Sequence, residues 1–257
     1  MIGHVRAASR LVSILVAGSV FSMILVLTGL VLFPFPQASQ RARQSVLDVA
    51  VHVGVWLVGM RIEVIGKAPT PPFFLVANHL GYIDILLVRG AVKARFVSKA
   101  EVASWPVFGW LASLTGTLFL ERRNKRDLSR INSQLRNVLE SGHGLIVFPE
   151  GTSSSGSLVK PFHAGLLAYP AESGLGVHTA TLHYSVPEGS NAAFDVCWWG
   201  DMTFLDHLYK LLLMPGFTGR ITFGPAPVHA PDRKDLALDL REGVLAAFEQ
   251  IDGAPPT

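Results

Sequence analysis

Residues 11–35 carry no charged side chain and are mostly apolar. About 20 such residues suffice to cross a bilayer, so this stretch predicts a membrane helix. A cleaved secretory signal has an apolar region of only ~7–15 residues, which argues for a retained helix. Arg6 and Arg10 precede the stretch and Arg41 and Arg43 follow it, so charge bias sets no orientation. A second apolar stretch, residues 46–60, contains Asp48 and His52 and is interrupted by Gly54 and Gly59. It predicts either a second membrane-embedded helix, forming a hairpin with the first, or an amphipathic helix at the interface. Phe33-Pro34-Phe35-Pro36 marks the break, because proline ends helices and restricts the residue before it. Residues 1–60 are therefore expected to be an anchor of one or two helices.

From residue 61 onward the pattern alternates. Residues 61–65, 73–77, 95–98, 117–120 and 144–148 read as strands, and 83–90 as a helix. Residues 127–141 place Leu128, Ile131, Leu135, Val138 and Leu139 at helical spacing, with Gly142 as the stop. Further strands are expected at 177–184, 193–198 and 219–223, and a last helix at 232–251. Strands interleaved with helices predict an α/β unit over residues 61–257, a mixed central sheet flanked by helices.

Composition sharpens this picture in two places. Charged residues make up 16% of the chain, against a typical ~25%, and mean hydropathy is +0.38, so part of the surface does not face water. The net charge of +3 is too mild for a nucleic-acid binder, and no Lys/Arg-rich run supports one. It suits a face turned toward anionic lipid or phosphate groups. The single cysteine, Cys197, excludes an intramolecular disulfide and a CxxC metal site, and reads as a small buried hydrophobe.

The chemistry concentrates after the 73–77 strand, in Asn78-His79-Leu80-Gly81-Tyr82-Ile83-Asp84. On one continuous helix His79 and Asp84 would be about 500° of rotation apart and point away from each other. They meet if His79 sits in the turn, which Gly81 permits, and Asp84 sits in the first helical turn. Asp84 then holds one ring nitrogen and leaves the other as a base suited to deprotonating an alcohol. A plain helix start with an acidic first turn would also give this pattern.

The Asn-His-x-x-x-x-Asp block resembles the first motif of the glycerophosphate and lysophosphatidate acyltransferase family. Gly116-Thr117-Leu118-Phe119-Leu120-Glu121-Arg122 resembles its second motif, and Phe148-Pro149-Glu150-Gly151-Thr152-Ser153 its third, in family order. The resemblance covers residues 78–165. It implies a catalytic domain in which His79 is the general base and Asp84 orients it. Arg122 and Glu150 would bind the acceptor, with Gly116, Phe119, Gly151 and Thr152 shaping that pocket and Asn78 and Lys160 as possible additions. Arg122 offers the planar fork that suits a phosphate, whereas the Glu150 carboxylate is expected to bind a hydroxyl or hold Arg122. Ser98-Lys99 and Trp105-Pro106-Val107-Phe108-Gly109-Trp110 also have the family's look. The family's fourth block carries a proline, and residues 177–182 here have none.

The implied reaction moves a fatty acyl group from acyl-CoA or acyl carrier protein to the sn-2 hydroxyl of 1-acyl-sn-glycerol 3-phosphate, forming phosphatidic acid. Lyso-ornithine lipid is the alternative acceptor, and a non-catalytic lipid-binding membrane protein the alternative class. No cofactor and no metal are required. The expected partners are a lysolipid, the acyl thioester and membrane lipids, with no nucleic acid. The expected place is the cell inner membrane, with the catalytic domain on the cytoplasmic side. No Gly-x-Ser-x-Gly elbow or phosphate-binding Gly-x-x-x-x-Gly-Lys loop is present, which removes serine-hydrolase and P-loop readings. The remaining histidines, His143, His163, His178, His183, His207 and His229 among them, lack close metal-ligand spacing.

Overall fold

The computed structural model describes residues 2–104, 109, 112, 116–120 and 125–256, with residues 125–129 described by their backbone alone. Arg122, Glu121, Trp105-Pro106-Val107-Phe108 and Trp110, singled out above, lie outside the described residues.

Two helices open the chain, α1 (Ile2–Val31) and α2 (Pro36–Val58). Pro36 is the first residue of α2, where its missing N–H leaves no bond unmade. The proline-rich break therefore falls where the sequence places it. α1 and α2 pack along each other as a hairpin. α1 is long and apolar enough to cross a membrane, and its apolar side chains are largely exposed.

Among the described residues the sheet has seven strands: β1 (Met60–Ile65), β2 (Phe73–Ala77), β3 (Ala94–Lys99), β4 (Leu118–Leu120), β5 (Gly144–Val147), β6 (Val177–Ser185) and β7 (Phe217–Phe223). Their order is β1-β7-β6-β2-β5-β3-β4. The run from β6 to β4 is parallel; β7 is antiparallel to β6, and β1 follows β7 in parallel. The sheet is mixed, as expected. The helices around it are α3 (Asp84–Ala91), α4 (Lys125–Glu140), α5 (Ala168–Ser173), α6 (Ala192–Asp195), α7 (Phe204–Leu213) and α8 (Arg233–Leu245).

Every residue of β2 is buried, which explains its unbroken apolar run: both faces of the sheet are covered. Phe73, Leu75 and Ala77 share one core with Leu87 and Val88 of α3. Phe74 and Val76 point the other way, into a second core with Ile131 and Leu135 of α4 and Leu236 and Leu240 of α8. The chain leaves β2 through α3 on one face and leaves β5 through α5 on the other. In such sheets a crevice opens where neighbouring connections diverge, at the carboxyl ends of the strands. Here that place lies between β2 and β5.

Two expectations need correction. Residues 193–198 are not a strand: Ala192–Asp195 is the short helix α6. The Asn191 side chain accepts from Ala193 N at 3.0 Å while Asp195 accepts from Asn191 N at 2.8 Å, a reciprocal cap that overrides the apolar alternation. The last helix ends at Leu245, short of residue 251, and Ile251 is instead buried beside Gly156. Helix α7 was not predicted, although Leu208, Leu211 and Leu212 have the spacing of a buried helical face.

Candidate active site

β2 delivers the chain to the crevice, and Asn78 locks the exit. Its buried side chain donates from Nδ2 to Leu182 O at 3.0 Å and accepts from Leu182 N at 2.7 Å, so an amide side chain prolongs the pairing with β6. His79 follows in the turn, and Asp84 is the first residue of α3, the arrangement that the spacing demanded. His79 Nδ1 lies 2.7 Å from Asp84 Oδ2. The same oxygen accepts from Leu80 N at 2.7 Å and Gly81 N at 3.1 Å, and Oδ1 accepts from Tyr184 OH at 2.7 Å. Asp84 is fully buried, so these four donors stand in for water around its charge. The acceptor-only carboxylate places the proton on His79 Nδ1 and leaves Nε2 with its lone pair. The His79 side chain keeps 24% of its exposure, an opening for a reactant.

Gly81 was expected to serve the turn through conformational freedom. Its role is close approach: a Cβ there would lie 2.8 Å from Trp198 N, which donates to Leu80 O at 2.8 Å. The imidazole plane is fixed by Phe148, stacked at 4.4 Å between ring centroids and 11° between planes.

Glu150 sits at the carboxyl end of β5 and is buried. Oε1 accepts from His79 N at 2.8 Å and Oε2 from Lys160 N at 2.9 Å. Burial outweighs these two N–H groups and pushes its pKa up to about 7. Ser154 N donates to His79 O at 3.0 Å, so the main chain of His79 is held from both sides by the third motif and the residue that follows it. Gly151, at φ +75°, makes the turn that brings residue 154 back, while Thr152 is exposed. Lys160 Nζ donates to Ser153 O at 3.1 Å.

The structure does not gather every candidate here. Phe119 lies in β4, three strands from β2, or roughly 14 Å at ~4.8 Å per strand. Gly116 precedes β4 at the opposite, amino edge of the sheet, beside Arg95. Conversely, Tyr184 was missed. Burial and Asp84 push its phenol pKa well above the usual value, which keeps it a donor. Tyr82, within the first motif, has its OH 2.9 Å from His207 Nδ1, and its ring packs edge-on against Trp198 and Phe204.

The chain is similar to known proteins. The family model described as Acyltransferase matches residues 61–183. A lyso-ornithine lipid O-acyltransferase of Rhodobacter capsulatus is 36% identical over 213 residues, 80% of this chain and 76% of that protein. Its namesake from Pseudomonas aeruginosa is 38% identical over 193 residues, 73% of this chain and 72% of that one. A 1-acyl-sn-glycerol-3-phosphate acyltransferase of Neisseria meningitidis is 30% identical over 164 residues, 63% of this chain and 64% of that protein. In fold, the chain is similar to the crystal structure of the 1-acyl-sn-glycerophosphate acyltransferase of Thermotoga maritima. The TM-score is 0.60 at 22% identity, over 94% of this chain and 99% of that one.

Proposed function

Because this chain belongs to the acyltransferase family, we propose that it moves a fatty acyl group from a thioester to the free hydroxyl of a lysolipid, with His79 as general base. The observation that carries this reading is the 2.7 Å contact of His79 Nδ1 with the fully buried Asp84. His79 Nε2 takes the proton of the acceptor hydroxyl, and the oxygen attacks the thioester carbonyl. Asp84 stabilises the imidazolium that forms. As the tetrahedral intermediate collapses, the C–S bond breaks and the imidazolium returns its proton to the departing sulfur. Acyl-CoA or acyl carrier protein would supply the thioester, which sets the catalytic domain on the cytoplasmic side of the inner membrane.

For the acceptor, lyso-ornithine lipid is the first reading. The proteins named for that reaction are 36% and 38% identical to this chain over 213 and 193 residues, against 30% over 164 for the Neisseria protein. Lysophosphatidate is the second reading, favoured by Arg122 in the second motif. Either way, Glu150 would act as a positioning residue, since its two oxygens are occupied by the N–H groups of His79 and Lys160.

The test offers purified protein an acyl thioester with lyso-ornithine lipid or with lysophosphatidate, using His79→Ala as the blank. Product from the first acceptor alone supports the first reading, and product from lysophosphatidate alone replaces it with the second. His79→Ala should fold normally yet lose at least ~10²–10⁴-fold of the rate, the usual contribution of a general base. A variant near wild-type rate would sink the mechanism.

A further inference from the structure

A cavity of about 430 Å³ lies between the tip of the α1–α2 hairpin and the amino edge of the sheet. Its walls include Phe33, Gln40, Arg43, Gln44, Arg95 and Gly116. It is a different place from the His79 crevice: Arg95 stands level with Phe74 at the start of β2, and His79 follows the far end of that strand. From Phe74 to Ala77 alone the separation is roughly 10 Å at ~3.3 Å per residue.

Two arginines, Arg43 and Arg95, stand on this cavity's wall. Their Nε atoms are buried and have no hydrogen-bond partner among the described residues. His143 Nε2 lies 3.3 Å from Arg95 Nη2 and 3.1 Å from Gln40 Nε2. It can accept from either, which puts the ring proton on Nδ1. Burial and Arg95 hold the imidazole below its ordinary pKa, consistent with that neutral form. The nearby carboxylate is already engaged: Asp48 Oδ1 pairs with Arg89 at 2.8 Å and Oδ2 with Lys93 at 2.7 Å. No ion pair of Arg43 or Arg95 exists among the described residues, although both guanidinium groups are half-buried. The arrangement is also built with care for space. A Cβ at Gly29 would overlap the Arg43 Nη2 atom, so the glycine lets the guanidinium lie against α1.

Two guanidinium groups on one cavity wall suit a phosphate, whose oxygens take forked bonds from arginine. The setting favours a lipid as its carrier: Phe33, on the cavity wall at the hairpin tip, is 83% exposed and adjoins the apolar α1. We propose that this cavity is a second, non-catalytic site that binds the phosphate of an anionic membrane phospholipid through Arg43 and Arg95.

The experiment follows the melting midpoint of the full chain in a neutral detergent. The additions are dihexanoyl phosphatidylglycerol, inorganic phosphate, or dihexanoylglycerol as the phosphate-free lipid. A ligand that binds only the folded state raises the midpoint, here by at least about 2 °C at saturation for a chain of this size. The phospholipid should do so in the wild type and in His79→Ala, and fail in Arg43→Gln/Arg95→Gln. Gln40→Glu keeps the test decisive if that double variant does not fold. A carboxylate at this exposed position would pair with the arginines, raise the midpoint of the free protein and abolish the phospholipid shift. An equal shift with inorganic phosphate overturns the lipid as carrier, and an equal shift with dihexanoylglycerol overturns phosphate recognition. No shift in the wild type, a shift lost in His79→Ala, or one unchanged in Gln40→Glu overturns the site.

Discussion

Four donors surround the buried Asp84 carboxylate: His79, Leu80 and Gly81 at Oδ2, and Tyr184 alone at Oδ1. Removing the one side-chain hydroxyl among them leaves the charge under-solvated in a place water does not reach. Tyr184→Phe is therefore expected to cost about 1.5–3 kcal/mol of stability, the worth of a hydrogen bond to a charged group. It should also lower kcat about tenfold with KM unchanged, because Tyr184 acts through Asp84 and touches no reactant. Denaturant unfolding and steady-state kinetics of the one variant check both. Glu150 makes a pH statement. Its pKa rises from an ordinary 4.5 to about 7 on folding, so between those values the folded state binds more protons than the unfolded one. Stability then falls as pH rises through that window, by about 3 kcal/mol in total at 1.36 kcal/mol per unit. Melting midpoints measured from pH 4.5 to 7 should decline in the wild type, and Glu150→Gln should remove that component. The dyad was legible in the sequence because both partners sit in one short motif. Tyr184 was not, because a strand tyrosine 100 residues from Asp84 carries no local mark of its partner.

At the scale of elements, the arginines ahead of the apolar helix do more than bracket it. Arg6 Nη1 donates to Leu213 O at 3.2 Å, and Arg10 donates to Met214 O at 2.7 Å and Pro215 O at 3.1 Å. These carbonyls belong to the end of α7 and the residues after it, where a helix leaves acceptors unmet. Two cations there both satisfy them and oppose the helix dipole. Arg10→Gln should lower the melting midpoint by roughly 2–4 °C for the ~1 kcal/mol lost, whereas Arg61→Gln, which makes no such contact, serves as the unchanged control. The sequence shows these arginines plainly but not their target, since α7 lies some 200 positions further on. The same asymmetry runs through the other elements. β2, α3, α4 and β5 were readable because their apolar periods match the two cores they enter. α6 was misread because two capping side chains, Asn191 and Asp195, decide a four-residue helix against its pattern.

For the molecule as a whole, α1 is the helix long and apolar enough to cross a membrane. Leu15, Met23 and Leu27 project from it into open space, while Ala7 and Leu25 are buried. Each apolar side chain moved out of water contributes about 1.5–3 kcal/mol, so the triple change Leu15→Gln/Met23→Gln/Leu27→Gln should shift protein from the membrane pellet to the supernatant with its fold retained. Unchanged sedimentation would mean that other surfaces hold the bilayer. The mixed sheet was legible as a class from alternation alone; the strand order, and with it the place of the crevice, was not, because it depends on which connections cross which face. That order has a consequence in time. The main chain of His79 is bonded to Glu150, Asn78 to Leu182, and Asp84 to Tyr184, at separations of 71, 104 and 100 residues. Closing loops of that length comes late, after local structure has formed. During synthesis, the emerging chain has its apolar amino-terminal helices and its histidine motif long before β6 has left the ribosome. Until then the histidine lacks its supports, so the His79–Asp84 pair is complete only once β6, which ends at Ser185, has emerged.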